Sequence, residues 1–301
     1  AEAVLDFVAE RGTTAKGLAM TRDMGSYYVI GYGEDINVSA FEMITTEKNI
    51  LEDKVIYITG GSSGIGLSIA EHCLKNNAQV VITGRNEERL EKAKKTLSEF
   101  SPDVITECFD ISDPDGLKSS IDNVYDSFGR IDGLVNNAPS IHSGLIKDID
   151  LSAWRTNFKA NLDAVFLSLN ILMPKMMEAG KGSIVNIASV VGLKGTAYMA
   201  GYAAAKAGLI NLTKSAAIES APNVRVNCVV PGAVMTDALK KAMPTDEMID
   251  ATAKTIPLKR VANPDEIAHP VVFLLSDKSS FITGADLVVD GGKTADLNAG
   301  N

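Results

Sequence analysis

The sequence is poor in cysteine and contains no long apolar run. Only three cysteines, Cys73, Cys108 and Cys228, occur among the 301 residues, and they lie far apart, without the close spacing of zinc ligands. This pattern predicts free thiols in a reducing compartment and no metal site. No apolar stretch approaches the roughly 18 to 20 residues that cross a bilayer, so we expect no membrane-spanning segment.

Positive charge is also in short supply. The chain carries 29 Lys and Arg residues against 38 Asp and Glu residues, a net charge of -9 at pH 7. Nucleic-acid binding needs clustered Lys and Arg to neutralise phosphates, so we expect no nucleic-acid partner. The stretch AEAVLDFVAE at the start of the sequence is acidic where a signal peptide would be basic, which favours a cytoplasmic protein.

From residue 54 onward, short β-branched runs alternate with longer amphipathic stretches. The runs typical of strands are KVIYIT (54–59), QVVITG (79–84), VITECFD (104–110), DGLVNNA (132–138), GSIVNIAS (182–189), VRVNCVVPG (224–232) and ADLVVDGG (285–292). Continuously apolar strands separated by helices indicate a parallel sheet covered on both faces. The sequence therefore predicts an α/β fold with a doubly wound, Rossmann-type parallel sheet, which binds ligands beyond the carboxyl ends of its strands.

A glycine-rich loop, TGGSSGIG (59–66), follows the first of these strands and precedes a helix. In this place Gly60 can make a sharp turn, Gly64 can bring the backbone close to a pyrophosphate, and Gly66 can let the helix pack tightly on the strand. Backbone N–H groups at the helix start would then bind the phosphates. A loop of this kind at the head of a strand–helix–strand unit predicts a dinucleotide site.

A tyrosine and a lysine stand one helical turn apart in the segment GYAAAKAGLINL (201–212). Alanine-rich sequence places Tyr202 and Lys206 on one helix face, with the lysine nitrogen near the phenol oxygen. A positive Lys206 would lower the pKa of Tyr202 from about 10 toward working pH, so that the phenol could exchange a proton with a carbonyl oxygen. The same pattern also suits a helix that simply packs closely on a neighbour.

The spacing Gly-x-x-x-Gly-x-Gly resembles that of the short-chain dehydrogenase/reductase family. Further motifs of that family follow in its order, over about residues 51 to 292: Asn136-Asn137-Ala138, Asn161, Ser189, Tyr202, Lys206 and Pro231-Gly232. The resemblance implies a nicotinamide-dependent carbonyl reductase or alcohol dehydrogenase. A dinucleotide-binding sensor without turnover is the alternative, because Pro139 stands where the family usually has glycine and because residues 1–50 are additional.

The resemblance also implies a role for individual side chains. Tyr202 would act as general acid or base, Ser189 would hold the substrate carbonyl oxygen, and Asn161 would hold a water that relays protons to Lys206. A serine after a strand is equally typical of a turn cap. The implied cofactor contacts are Gly60, Ser62, Ser63, Gly64, Ile65, Gly66, Arg85, Asp110, Ile111, Asn137, Ala138, Tyr202, Lys206, Pro231, Gly232 and Thr236.

The end of the second strand, VVITGRN, bears on the choice of cofactor. Gly84 occupies the position of the acidic residue that would hold the adenosine ribose hydroxyls, and Arg85 follows it. A guanidinium pairs with phosphate in a bidentate fork, which favours NADP(H) and leaves NAD(H) possible. Arg85 could also simply begin a charged helix. Asp110, by the resemblance, would face the adenine.

Residues 1–50 precede the matching region and contain two runs typical of strands, AVLDFV and SYYVIGYG, around a helical run, TTAKGLAMTRDM. This order resembles the closing part of the cofactor domain of medium-chain alcohol dehydrogenases. We therefore expect an N-terminal extension at 1–50 and a short-chain dehydrogenase/reductase domain at 51–301. Two strands alone leave their edges unpaired, so the extension has reason to pack on the main domain or on another subunit.

Three further expectations concern surfaces. The segment MTDALKKAMPTDEMIDATAKTI, interrupted by Pro244, is predicted to be helical and either to cover the substrate or to form plain surface helices. The segments LDAVFLSLNILM, AAAKAGLINL and ADLVVDGG match the apolar contacts through which the family forms tetramers, which predicts a homotetramer. The histidines His72, His142 and His269 are scattered and are expected at the surface or in loops, with His142 nearest the substrate.

Overall fold

The computed structural model describes residues 3–6, 26–29 and 50–296, and the chain divides into two compact units, Ala1–Ile50 and Leu51–Asn301. In the first unit, β1 (Ala3–Asp6) and β2 (Ser26–Val29) pair in parallel. Both strands fall within segments that the sequence predicts as strands. The predicted helix TTAKGLAMTRDM lies outside the described residues.

Seven strands of the second unit form one sheet. They are β3 (Val55–Ile58), β4 (Gln79–Gly84), β5 (Ile105–Cys108), β6 (Gly133–Asn136), β7 (Gly182–Ile187), β8 (Val224–Pro231) and β9 (Asp286–Val289). Their order across the sheet is β5-β4-β3-β6-β7-β8-β9, and every neighbouring pair is parallel. All seven predicted strands and the doubly wound fold are confirmed.

Helices connect these strands and cover the sheet. They are α1 (Gly64–Lys75), α2 (Glu87–Leu97), α3 (Pro114–Phe128), α4 (Leu151–Phe158), α5 (Ala164–Glu178), α6 (Ala200–Ser220), α7 (Asp237–Ala242), α8 (Asp246–Lys254) and α9 (Asp265–Leu275). A π-helical turn, Lys159–Asp163, joins α4 to α5, and a 3-10 turn, Val190–Gly192, follows β7. As predicted, Pro244 separates two helices. Within the described ranges, no helix is long and apolar enough to cross a membrane.

Local sequence explains where several helices begin. The Asn86 side chain accepts the Arg89 N–H at 2.8 Å and caps α2. Asp113 caps α3 in the same way, and Pro114 occupies the first helical position, where its missing N–H costs no hydrogen bond. These two helices begin directly after their capping residues and pack against the sheet. The central strands of the sheet, such as β3 and β6, are buried along their whole length.

His269 is exposed and His72 is half-buried, but these two histidines are paired and not scattered as predicted. The rings of His72 on α1 and His269 on α9 lie 4.6 Å apart because these two helices pack together. His72 Nε2 also lies 3.4 Å from an Asp265 carboxylate oxygen, and burial is the main cause that lowers the pKa of His72. His142 is exposed in the loop after β6, as predicted. No group of three or more His, Cys, Asp and Glu side chains in the described part of the chain could hold a metal ion.

Candidate active site

The strand order creates a crevice at the carboxyl ends of β3 and β6, where the connections turn to opposite halves of the sheet. The loops that follow these two strands touch each other there. Thr59 Oγ1 accepts the backbone N–H groups of Asn137 at 2.9 Å and Ala138 at 3.2 Å. A Cβ added to Gly60 would lie 2.8 Å from Ala138 Cα. The two loops are therefore fixed against one another at the point where this fold class binds nucleotides.

The glycine loop has the backbone conformation that the sequence predicts. Gly60 and Gly64 have φ angles of +67° and +55°, in the left-handed region that favours glycine. A Cβ on Gly66 would overlap the Gly60 carbonyl oxygen and lie 2.5 Å from Asn137 Nδ2. The tight contact of Gly66 is thus with these two loops, and the prediction that it packs on the strand needs this correction.

Asn137 holds the glycine loop in place. Its Nδ2 donates hydrogen bonds to the carbonyl oxygens of Thr59 at 3.0 Å and Gly60 at 3.1 Å. The amide N–H groups of Asn137 are therefore used within the protein, and this side chain shapes the loop on which a cofactor would lie. Sequence reasoning missed Thr59, although a buried hydroxyl residue directly before a glycine loop is a signal that could have indicated it.

The loops after β4 and β5 bring Arg85 and Asp110 together. Arg85 Nη1 lies 3.9 Å from Asp110 Oδ2, and the two side chains are 78% and 51% exposed. An exposed pair of this kind contributes little stability, so Arg85 is free to turn toward a ligand. Asp110 Oδ1 also accepts the Ser112 N–H at 2.8 Å, and Ile111 between them is half-buried.

The start of the predicted lid also lies against the glycine loop. Thr236 caps α7 by accepting the Leu239 N–H at 3.2 Å, and its methyl carbon would lie 3.1 Å from a Cβ on Gly64. Pro231 ends β8, and Gly232 follows it. The remaining loop residues are Ser62 and Ile65, which are half-buried, and Ser63, which is exposed and makes no side-chain cap bond.

The catalytic candidates meet where β7 ends and α6 begins. Ser189 follows β7, and hydrogen bonding by its side chain lowers the pKa of the Tyr202 phenol. Ser189 Oγ also accepts the Val191 N–H, at the long distance of 3.5 Å, so the serine is both a weak turn cap and a partner of the tyrosine. Tyr202 itself is only 8% exposed. The structure thus places the two predicted hydroxyl groups together.

Lys206 lies one helical turn beyond Tyr202 and is buried. Its Nζ donates a hydrogen bond to the Ile187 carbonyl oxygen at 2.7 Å and lies 5.7 Å from the centre of the Tyr202 ring. Burial lowers the pKa of Lys206 to about 8, and the neighbouring Cys228 thiol acts in the opposite direction. The lysine is therefore a buried cation that loses its charge slightly above neutral pH.

The net shift in the pKa of Tyr202 is upward, whereas the sequence predicts a downward shift caused by Lys206. Burial raises the pKa of Tyr202 to about 12, and hydrogen bonding by Ser189 acts in the opposite direction. The physical reason is that the free energy needed to remove a phenolate from water exceeds the stabilisation that the neighbouring groups provide. The Lys206 ammonium is directed at the Ile187 carbonyl oxygen. Tyr202 consequently stays protonated at neutral pH, which suits a proton donor.

Asn161 lies in the π-helical turn and is fully buried. Its Nδ2 donates to the Ser140 carbonyl oxygen at 2.6 Å and to the Asn157 carbonyl oxygen at 2.8 Å, so it anchors the loop that contains Pro139. Its Oδ1 is buried and accepts no hydrogen bond from the described residues. Short π-helical turns occur frequently at functional sites.

Comparison with known proteins gives a consistent set of relatives. Residues 60–294 match the sequence model of a family described as enoyl-(acyl carrier protein) reductase. The chain is 38% identical over 245 residues to 3-oxoacyl-(acyl-carrier-protein) reductase FabG of Chlamydia pneumoniae, covering 81% of this chain and 98% of that protein. It is also 38% identical over 250 residues to the NADP-dependent (R)-specific alcohol dehydrogenase of Lentilactobacillus kefiri, again covering 81% of this chain and 98% of the relative.

A solved structure shares the fold. The crystal structure of levodione reductase superposes with a TM-score of 0.78 at 33% sequence identity, covering 81% of this chain and 99% of that chain. The agreement extends over almost the whole of each relative.

Proposed function

The chain belongs to the short-chain dehydrogenase/reductase family and is an NAD(P)-dependent oxidoreductase, and on that basis we propose how it transfers a hydride between the nicotinamide and a ketone or secondary alcohol. The observation that carries the proposal is the buried contact of Ser189 with Tyr202, one helical turn from the buried Lys206. These groups lie at the carboxyl edge of the same sheet that presents the glycine loop.

In the reduction direction, the hydroxyl groups of Ser189 and Tyr202 hold the substrate carbonyl oxygen. A nicotinamide bound beside them would supply the hydride for the carbonyl carbon. As negative charge develops on the oxygen, Tyr202 donates its proton, and the product is the neutral alcohol. The positive charge of Lys206 then stabilises the phenolate that remains. The free Oδ1 of Asn161 suits a water that returns a proton toward Lys206.

We propose that the cofactor is NADP(H). The backbone of residues 60–66 would bind the pyrophosphate at the start of α1, Thr236 would close over it, and Asp110 and Ile111 would border the adenine. Arg85 would bind the ribose 2′-phosphate, because its guanidinium is exposed and has only a distant carboxylate partner. The L. kefiri relative is named as an NADP-dependent enzyme, which agrees with this proposal.

Replacing Arg85 with leucine is expected to lower kcat/KM for NADPH by about 10- to 100-fold, because a hydrogen bond to a charged phosphate contributes about 1.5 to 3 kcal/mol. The value for NADH should stay within roughly twofold of the wild type, since NADH lacks that phosphate. Steady-state kinetics with each cofactor at a fixed carbonyl concentration measures both values.

Arg89→Leu is the matched control, because Arg89 is also exposed, lies in the first turn of α2 and loses the same charge. A wild-type preference for NADH, or an equal loss of NADPH activity in both variants, would show that Arg85 does not bind the phosphate.

We also propose that residues 51–301 form the catalytic domain and that residues 1–50 are an appended unit related to the end of a medium-chain dehydrogenase cofactor domain. The family match begins at residue 60, which supports the boundary. The parallel pairing of β1 with β2 is the arrangement that such a fragment would retain.

A cytoplasmic homotetramer is the proposed assembly. Large apolar side chains are exposed on the same three elements that the sequence analysis singles out: Phe166 on α5, Ile218 on α6 and Leu287 on β9, at 56%, 79% and 36%. A second copy of the chain would cover them.

A panel of ketones, aldehydes and acyl thioesters with NADPH tests the function, applied in parallel to the whole chain and to residues 51–301. We expect both proteins to oxidise NADPH with the same substrates and to have tetrameric mass by light scattering. For the reduction, kcat/KM should fall as pH rises through about 8, because Lys206 then loses its charge. Binding of NADPH without its oxidation in the presence of any substrate would instead favour the alternative function, a dinucleotide-binding sensor without turnover.

A further inference from the structure

A chain of buried hydrogen bonds crosses the molecule beneath the catalytic residues. Ser168 Oγ on α5 lies 2.8 Å from both Asn136 Oδ1 and the Val165 carbonyl oxygen, Asn136 Nδ2 donates to Asn186 Oδ1 at 2.9 Å, and Asn186 Nδ2 donates to Thr213 Oγ1 at 2.9 Å. Thr213 completes the chain by donating to the Leu209 carbonyl oxygen at 2.8 Å. The chain therefore joins α5, β6, β7 and α6, and none of its four polar side chains is more than 4% exposed.

The bonds between Asn136 and Thr213 all run in one direction along the chain. A threonine hydroxyl has one hydrogen, and Thr213 gives it to Leu209, so its oxygen must accept from Asn186. The oxygen of Asn186 in turn accepts from Asn136, which lies directly opposite it in the sheet. Turning one amide over alone would place like atoms against each other in this buried chain, so the paired hydrogen bonds hold the helix and the strands in their relative position.

The same strand and the same helix face also hold Lys206. Lys206 and Thr213 are seven residues apart on α6, which is two helical turns, so both side chains project from one face. Asn186 and Ile187 are consecutive on β7; the first binds Thr213 through its side chain, and the second binds Lys206 Nζ through its carbonyl oxygen. Two bonds, seven residues apart on the helix, thus join α6 to one end of β7.

We propose that Asn186 and Thr213 are positioning residues for Lys206: their hydrogen bond aligns α6 on β7 so that the ammonium group meets the Ile187 carbonyl oxygen. The charged group has a single acceptor among its described hydrogen bonds, and it is 3% exposed, so a small shift of the helix would leave it buried without a partner. The titratable groups around it are Tyr202 on its own helix and Cys228 on β8. The inference rests on the proposed function only for its kinetic consequence.

The test is a series of substitutions at Thr213 with two measurements. Valine removes the hydroxyl and keeps the shape, serine restores the hydroxyl, and cysteine keeps only a weak acceptor, which provides an intermediate variant if the valine protein does not fold. Lysine side-chain NMR, assigned with Lys206→Met, reads the titration of Lys206 directly, and the pH profile of kcat/KM reads its effect on carbonyl reduction. Ser183→Ala is the control, because it removes another buried hydroxyl from β7, one that bonds the Leu274 carbonyl oxygen instead.

In Thr213→Val, the midpoint of the Lys206 titration should move to lower pH by roughly half a pH unit. This shift corresponds to about a threefold decrease in the proton affinity of the Lys206 amine. We expect kcat to fall about tenfold with little change in KM, because the lysine acts on the chemical step. Thr213→Ser and Ser183→Ala should match the wild type in both measurements. An unchanged Lys206 titration in Thr213→Val, or an equal shift in Ser183→Ala, would overturn the inference. If the wild type reduces no carbonyl, the proposed function fails while the NMR titration still decides the positioning role.

Discussion

Replacing Tyr202 with phenylalanine is expected to lower kcat for carbonyl reduction by roughly two to four orders of magnitude, the usual contribution of a general acid. The ring and its packing remain, but the proton donor and the hydrogen bond with Ser189 are lost. Cofactor affinity should change by less than about twofold, because the glycine loop is not altered. Steady-state kinetics at saturating NADPH and a fluorescence titration with NADPH measure the two quantities.

Tyr57→Phe is the matched control for this experiment. Tyr57, on β3, is also a buried tyrosine whose pKa is raised by burial. Its hydroxyl forms a hydrogen bond of 2.6 Å with the Ser120 hydroxyl, away from the catalytic residues. Its loss should cost about 1 kcal/mol of stability and leave kcat unchanged. Turnover of Tyr202→Phe at the wild-type level would remove Tyr202 from the mechanism.

Gly66→Ala is expected to weaken NADPH binding by roughly 5- to 150-fold. The added methyl group would press on the Gly60 carbonyl oxygen and on the Asn137 amide, which together shape the phosphate loop. Overpacking of this kind costs about 1 to 3 kcal/mol, which corresponds to that range of affinities if the loop absorbs the strain. Global stability should change less, because alanine favours the helix by about 1 kcal/mol over glycine. Fluorescence titration and thermal unfolding separate the two effects.

Gly195→Ala provides the comparison, because a Cβ at Gly195 would meet no atom within 4 Å. This variant should bind NADPH like the wild type. If Gly66→Ala binds NADPH as tightly as Gly195→Ala, the loop is more deformable than its contacts imply, and it does not form a rigid phosphate cradle.

The pKa values of Tyr202 and Lys206 bear on the direction of reaction. A phenol with a pKa near 12 is a competent donor at every physiological pH, whereas its phenolate is scarce. Oxidation of an alcohol needs the phenolate as base, so it should gain from rising pH until Lys206 loses its charge near pH 8. Burial therefore favours Tyr202 as a proton donor over Tyr202 as a base at neutral pH.

Local pattern in the sequence is sufficient for the architecture of the second unit. The inner strands, such as β3 and β6, are present because continuously apolar β-branched runs are stable when buried on both faces, and β4 begins and ends at the predicted residues, Gln79 and Gly84. The left-handed backbone at Gly60 and Gly64 also follows from residue type, since glycine adopts it at little cost. The spacing of Tyr202 and Lys206 likewise determines that both lie on one face of α6.

The behaviour of those side chains depends on segments that are distant in the sequence. Lys206 binds a carbonyl 19 residues away, Asn186 meets Thr213 across 27 residues, and Thr59 holds the loop of Asn137 across 78 residues. The hydrophobic periodicity of a segment carries no information about contacts between residues that are distant in the sequence. His72 and His269 pair for the same reason, because the packing of α1 on α9 is invisible in the local sequence of either helix.

The sequence by itself determined the parallel sheet and the glycine loop, because these follow from local residue type and spacing, and its resemblance to the short-chain family indicated the catalytic candidates. Only the tertiary structure decided the sign of the Tyr202 pKa shift. A phenol and an ammonium one helical turn apart stabilise each other's charged forms in an open setting, but closure of the fold removes water from both. Desolvation depends on every segment that surrounds a group, and it is therefore a property of the folded chain and not of any stretch of sequence.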